Sequence, residues 1–216
     1  MPCSPRTCQA RPCGTSRPRE EALRRELRIH GRGGQGAVIA SKLLASALFI
    51  EGQSVQSFPA FGVERRGAPV TAFLRFSEKP ILLRCEISAP DDLIVLDPTL
   101  IHAIDVTAGL KAGGSILIAS EQPPTAYPEL LARFRVGTVD AAAIAQRHRL
   151  GSKNQPIVNT AIMGAAAAFL GCVSIDSVCR AIQDEIPIRP QDNIAAAREA
   201  AAALLVEARR AEASHA

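Results

Sequence analysis

The run Gly31-Arg32-Gly33-Gly34-Gln35-Gly36 does most to narrow what this chain can fold into, because it lies between a short strand candidate and a helical one. Residues 26–30 (ELRIH) read as strand and lead straight into the glycines. From residue 36 to 50 the apolar positions Ala37, Ala40, Leu44, Ala47 and Leu48 then recur at helical period, until Gly52 closes the segment. The run fits G-x-G-x-x-G in the strand-turn-helix context that gives this otherwise weak motif its weight. Without Cβ atoms, such a turn lets backbone N–H groups converge on an anion at the positive end of the following helix. A phosphate-binding turn is the functional reading, and a turn that only lets helix and strand pack closely is the structural one.

Two familiar uses of a glycine loop are excluded or weakened by what surrounds it. No Gly-Lys-Ser/Thr closes the run, which excludes a Walker loop. An NAD site wants a carboxylate at the end of the second strand, about 20 residues on. Here that strand candidate, residues 55–58, ends in Phe58-Pro59, and Glu51 falls before it begins. The loop that follows, SFPAFGVERRGAP at 57–69, carries Phe58, Phe61 and Val63, which need something to pack on. Its Arg65 and Arg66 are candidates to clamp a phosphate or a partner carboxylate, or to form internal ion pairs.

The rest of the chain reads as α/β. Residues 70–76 alternate as a strand, and Ser77-Glu78-Lys79-Pro80 is expected to turn it into a second strand over 81–87 as an antiparallel hairpin. Residues 93–96 and 115–119 are short, wholly apolar strands of the buried parallel type. Helices are expected near 128–134 and 141–147, and the Ala-rich remainder divides into helices over 156–170, 174–185 and 190 to about 213. The fold class is therefore α/β, a Rossmann-like mostly parallel sheet with an antiparallel hairpin and Ala-rich C-terminal helices.

Residues 1–26 form an Arg-, Pro- and Cys-containing tail, disordered or ordered by a partner. Its first 20 residues hold no Ile, Leu, Val or Phe, and residues 20–25 favour helix. Residues 27–216 form one domain. Of 25 basic and 21 acidic residues, seven Arg and three Glu lie at or before Arg28, so the 18 basic and 18 acidic residues beyond it cancel. With a neutral body, no Trp and one Tyr, a nucleic-acid surface is not expected, and the tail suits an acidic face of a partner. There is no apolar run of membrane-spanning length and no signal-peptide pattern, so the expected location is cytoplasmic. Cys3, Cys8 and Cys13 are spaced C-x4-C-x4-C, which is neither a zinc nor a ferredoxin pattern, and no metal site is assigned. Cys172 and Cys179 read as small buried residues, and His30 as a phosphate donor or a packed strand-end histidine. His102 and His148 have no Cys or carboxylate pattern beside them.

GRGGQGAVIASKLLA at 31–45 followed by SFPAFGVERRGAPVTAFLRFSEKPI at 57–81 closely resembles the gamma subunit or domain of the 2-oxoacid:acceptor oxidoreductases, which act on pyruvate, 2-oxoglutarate or 2-ketoisovalerate. In looser form the resemblance runs from about residue 27 to 208, through DDLIVLD at 91–97 and NTAIMGAAAAFLG at 159–171. It implies a multi-subunit enzyme in which thiamine diphosphate with Mg, and [4Fe–4S] clusters, reside in alpha, beta and ferredoxin-like delta partner subunits, with ferredoxin or another acceptor beyond. Such an enzyme oxidatively decarboxylates a 2-oxo acid to an acyl-coenzyme A. This chain shows no thiamine motif and no ferredoxin cysteine run, so no catalytic residue is assigned to it. Its expected part is to scaffold the complex and to seat coenzyme A phosphates at Gly33, Gly34, Gln35 and Gly36, with Arg32 flanking. The small subunit of an indolepyruvate-type oxidoreductase is the alternative within the class, and a stand-alone nucleotide-binding protein is the alternative outside it.

Overall fold

The computed structural model describes residues 24–60, 67–152 and 154–208. Most of the tail, with Cys3, Cys8 and Cys13, and the segment holding Phe61, Val63, Arg65 and Arg66 lie outside the described residues.

A seven-stranded sheet runs through the middle of the molecule in the order β2, β3, β1, β4, β5, β6, β9. Its strands are β1 (Arg24–Arg32), β2 (Ser54–Pro59), β3 (Pro69–Ser77), β4 (Asp92–Val95), β5 (Ser115–Ala119), β6 (Arg135–Val139) and β9 (Leu205–Glu207). Only β3 and β9 run against the other five, which makes the sheet mostly parallel in strand direction. A separate two-stranded antiparallel hairpin joins β7 (Gly151–Ser152) to β8 (Gln155–Pro156).

One face of the sheet carries the larger core, built with α1 (Ala37–Ile50), α4 (Ala141–Arg147), α5 (Asn159–Leu170), α6 (Ile175–Glu185) and α7 (Pro190–Ala202). The other face is covered by shorter pieces, α2 (Leu100–Ala103), α3 (Pro128–Leu131) and the turns beside them. Strands β4 and β5 are apolar throughout because both faces are covered: Leu93 and Val95 enter the smaller cluster, while Ile94 and Leu117 enter the larger. Small side chains let the helices approach closely. A Cβ on Gly164 of α5 would lie 1.9 Å from the Ala197 carbonyl oxygen of α7.

Several elements differ from the sequence expectation. Residues 81–87 form no strand, because β3 is already paired on both sides, with β1 and with β2, and has no edge to offer. Strand β1 begins at Arg24, so Arg24 and Arg25 extend it rather than form a helical lead-in; Arg25 is held there by Asp92, with Nε to Oδ2 at 2.7 Å. The last helix stops at Ala202, and Leu205–Glu207 turns back as an edge strand on β6. Strand β6 itself was not anticipated, and α5 starts at Asn159 rather than residue 156.

Candidate functional site

Every parallel strand delivers its C-terminal end to the same edge of the sheet, and there the glycine run connects β1 to α1. Gly34 and Gly36 take left-handed φ values of +97° and +79°, which a residue with a Cβ adopts only at a cost. Gly31 is glycine for another reason: a Cβ there would sit 3.1 Å from Leu96 and 3.2 Å from Ala37, wedging strand and helix apart.

The loop is stitched in place from three sides. Gly33 donates to the Ala68 carbonyl at 2.9 Å and accepts from the Gly67 N–H at 3.0 Å, which ties it to the chain entering β3. Gln35 closes the turn on itself, its N–H donating to the Arg32 carbonyl and its Oε1 accepting from the Arg32 N–H at 2.7 Å. Just past the end of β4, Asp97 accepts from Arg32 Nε at 2.9 Å, Gln35 Nε2 at 3.1 Å and the Thr99 N–H at 2.9 Å. Desolvation works to raise the Asp97 pKa, but the hydrogen bonds from Thr99, Gln35 and Arg32 outweigh it and hold the carboxylate below its usual range. Arg32 also donates to Gly67 O and Thr99 Oγ1, so its guanidinium braces the loop.

That bracing leaves a set of backbone donors open. The N–H groups of Gly34, Gly36, Ala37 and Val38 have no acceptor among the described residues, and α1 has neither a side-chain cap nor an acidic residue in its first turn. Backbone N–H groups in a glycine turn and at the helix N-terminus behind it suit an anion, and the neighbouring Asp97 carboxylate is already taken up by Arg32, Gln35 and Thr99. The structure thus brings Gly31, Arg32, Gly33, Gly34, Gln35 and Gly36 together as one turn, with Arg32 and Gln35 facing Asp97. From the sequence alone Asp97 is given no role; an acid at the end of the strand adjacent to a glycine-loop strand is the signal that would find it. Asn159, at the start of α5 beside Gly36, was also missed.

The remaining candidates have structural explanations. His30 is buried, accepts from Arg28 Nε at Nε2 over 2.9 Å and faces Thr71, while burial and then the Arg28 guanidinium push its pKa down to about 4. It is a neutral, packed strand residue. Glu51 caps the far end of α1 and accepts from the Ser174 N–H at 2.7 Å, well away from the glycine turn. His148 meets Glu199 at 2.6 Å, a carboxylate that lies 51 residues on in the chain. Cys172 and Cys179 are free thiols, and burial pushes Cys172 up to about 11. Among the described residues no three His, Cys, Asp or Glu side chains gather as a metal site, and no helix is long and apolar enough to cross a membrane.

Comparison with known proteins places this arrangement. The family model described as "Pyruvate ferredoxin/flavodoxin oxidoreductase" matches residues 26–203. The pyruvate/ketoisovalerate oxidoreductases common subunit gamma of Pyrococcus abyssi is 51% identical over 178 residues, 81% of this chain and 94% of that protein. The NADH-dependent phenylglyoxylate dehydrogenase subunit gamma of Aromatoleum evansii is 45% identical over 161 residues, 74% and 82% of the two chains. The crystal structure of pyruvate oxidoreductase subunit PORC from Thermotoga maritima superposes with a TM-score of 0.73 at 28% identity, covering 86% of this chain and 99% of that one. A 2-oxoglutarate:ferredoxin oxidoreductase from Magnetococcus marinus, solved with 2-oxoglutarate, coenzyme A and succinyl-CoA bound, shares the fold at TM-score 0.63 and 18% identity, over 83% of this chain and 30% of that one. With its glycine turn, its sheet and nearly all of its described length matched, the chain belongs to the pyruvate ferredoxin/flavodoxin oxidoreductase family, as a gamma-type subunit.

Proposed function

We propose that this chain acts inside a hetero-oligomeric 2-oxoacid:acceptor oxidoreductase, where it scaffolds the partner subunits and seats the phosphates of coenzyme A on its glycine turn. The observation that carries the reading is the set of open N–H donors at Gly34, Gly36, Ala37 and Val38, held in place by Arg32, Gln35 and Asp97. The fold neighbour solved with coenzyme A bound supports a ligand of that class. Arg65 and Arg66 are proposed as further contacts to a phosphate or to a partner. Thiamine diphosphate with Mg and the [4Fe–4S] clusters are proposed to reside in alpha, beta and delta partners, as the family resemblance implies. When bound, coenzyme A supplies the thiol that takes the acyl group. The part of this chain is to fix the ligand's anionic end through backbone donors whose direction the sheet sets.

The acid oxidised and the acceptor reduced are set elsewhere, since relatives named for pyruvate, ketoisovalerate and phenylglyoxylate enzymes lie together at 44–51% identity. A gentle pull-down of this chain from its host tests the subunit role. The expected result is a set of copurifying chains with thiamine diphosphate, iron and 2-oxoacid-dependent dye reduction, and a lone chain with none of these overturns the proposal. In that complex, Gly34→Ala should raise the KM for coenzyme A. A Cβ at Gly34 meets nothing within 4 Å, so the effect comes from the strained turn rather than from a packing clash.

A further inference from the structure

A cleft opens on the sheet face that carries the smaller core, between the connection from β4 to β5 and the connection from β5 to β6. One wall is the segment 101–107, the other is Glu129, Leu130 and Arg133 on and just beyond α3, and the space between them holds about 460 Å³. That volume suits a small molecule. None of the lining residues belongs to the glycine turn or braces it.

Both walls are fixed by the fold. Arg28 reaches out of β1, and its Nη2 donates to the carbonyls of Val106 at 2.8 Å and Ala108 at 2.7 Å, which ties the first wall to the sheet. Leu130, Leu131 and Phe134 are buried in the smaller core and anchor the second.

The lining has an apolar part, Ile101, Ile104 and Leu130, and an exposed charged part, Asp105 on one wall with Glu129 and Arg133 on the other. Asp105 Oδ1 accepts from the Thr107 N–H at 3.0 Å and from Thr107 Oγ1 at 2.8 Å, which orients the carboxylate. Those bonds, and with them the charge of Arg133, hold Asp105 below the usual carboxylate range. Among the described residues, however, neither Asp105 nor Glu129 meets Arg133 as an ion pair, and the guanidinium lies over the Phe134 ring, 4.8 Å from its centroid. Opposite charges thus stand apart above an apolar lining. A plain carboxylic acid would match Arg133 but add a negative charge beside Asp105 and Glu129, and a plain amine would match the carboxylates but add a positive charge beside Arg133. A molecule with both charges on neighbouring atoms, and an apolar chain, meets each group without repulsion.

We propose that this cleft binds an α-amino acid with an apolar side chain, its ammonium between Asp105 and Glu129, its carboxylate on Arg133 and its side chain against Ile101, Ile104 and Leu130. The inference goes beyond the coenzyme A reading and uses none of the same residues. An α-amino acid has the skeleton of a 2-oxo acid with an ammonium at the carbonyl carbon, so such a site reads the transamination partner of the class of acid on which this enzyme family acts.

Calorimetric titration of the complex purified with this chain, without 2-oxo acid or coenzyme A, tests it with L-alanine, L-valine, L-leucine, L-methionine and L-phenylalanine. At least one should bind, one molecule per chain. For that amino acid, the amide, which lacks the carboxylate, and the acid without its amino group should each bind about ten-fold or more weakly, the loss of a hydrogen-bonded charge. Asp105→Asn keeps the oxygen that Thr107 bonds and removes one charge, while Arg133→Gln removes the other. Each should weaken binding by a similar factor, and either carries the test if the other fails to assemble. No binding by any of the five overturns the proposal. Parental affinity in both variants puts the ligand elsewhere and overturns the cleft as its site, and equal affinity for the amide or the deaminated acid overturns the assignment of the ligand class.

Discussion

Arg75 is 1% exposed in the middle of β3, on the sheet face away from the long helices, and each of its three nitrogens has a partner. Nε reaches Glu26 Oε1 at 2.6 Å, while the terminal nitrogens donate to Gln56 Oε1 and to the Cys85 carbonyl, so this one side chain pins three neighbouring segments. Removing one member of a buried ion pair leaves the other charged and unmatched. Arg75→Met should therefore cost about 3–5 kcal/mol in urea unfolding, and adding Glu26→Gln should recover much of it. His30 gives a pH test. Its folded pKa of about 4 lies below the ordinary 6.5, so between those values the unfolded chain binds a proton that the native chain refuses. Stability should fall as pH drops from 6.5 to 4, by up to about 3 kcal/mol for the full shift, and His30→Gln should flatten that part of the profile. At this scale the sequence disclosed the glycines, because a positive φ demands a residue type that can be read from the chain. It disclosed neither Asp97 nor Asn159, whose roles depend on partners 62 positions from Gln35 and 123 positions from Gly36 that only the sheet brings near.

Gly164 and Ala197 show how much the helical layer depends on small residues. A methyl group at Gly164 would meet the Ala197 carbonyl and must push α5 off α7. Although Ala favours helix over Gly by about 1 kcal/mol, overpacking should win, and Gly164→Ala should lower the thermal midpoint of the subunit. The parallel strands and the long helices were readable because both periodicities are strong there: β5 was placed at its observed bounds, and α1 and α6 within a residue of theirs. Strand β6, RVGTV, was not, since a five-residue run with a central glycine carries little pattern. Residues 81–87 misled because the turn residues at 77–80 suggest a hairpin partner for the alternating strand before them. Their outcome was decided by β3 having no free edge, a fact of topology that local periodicity does not contain. Leu205–Glu207 was absorbed into the Ala-rich helix because nothing local marks where an edge of the sheet becomes available.

Over the whole molecule, apolar side chains are left in water at separate places: Phe49 is 69% exposed, Leu82 89% and Ile188 73%. In a subunit, exposed apolar side chains of this kind are candidates for partner contact. Expressed alone, the chain should self-associate in light scattering at micromolar concentration, and Phe49→Ser, Leu82→Ser and Ile188→Ser together should reduce that association while lowering the yield of copurified partner chains. Strand β1 organises the molecule in a second sense. It lies inside the sheet, bonded to β3 on one side and β4 on the other, and its nine residues cross the sheet from the edge where Arg24 begins to the edge where the glycine turn sits. At about 3.3 Å per residue the two ends are roughly 25–30 Å apart. A label or linker carried at the Arg24 end of the strand thus sits at the rim opposite the glycine turn, so the chain can be tethered by that end with the glycine turn facing the solution.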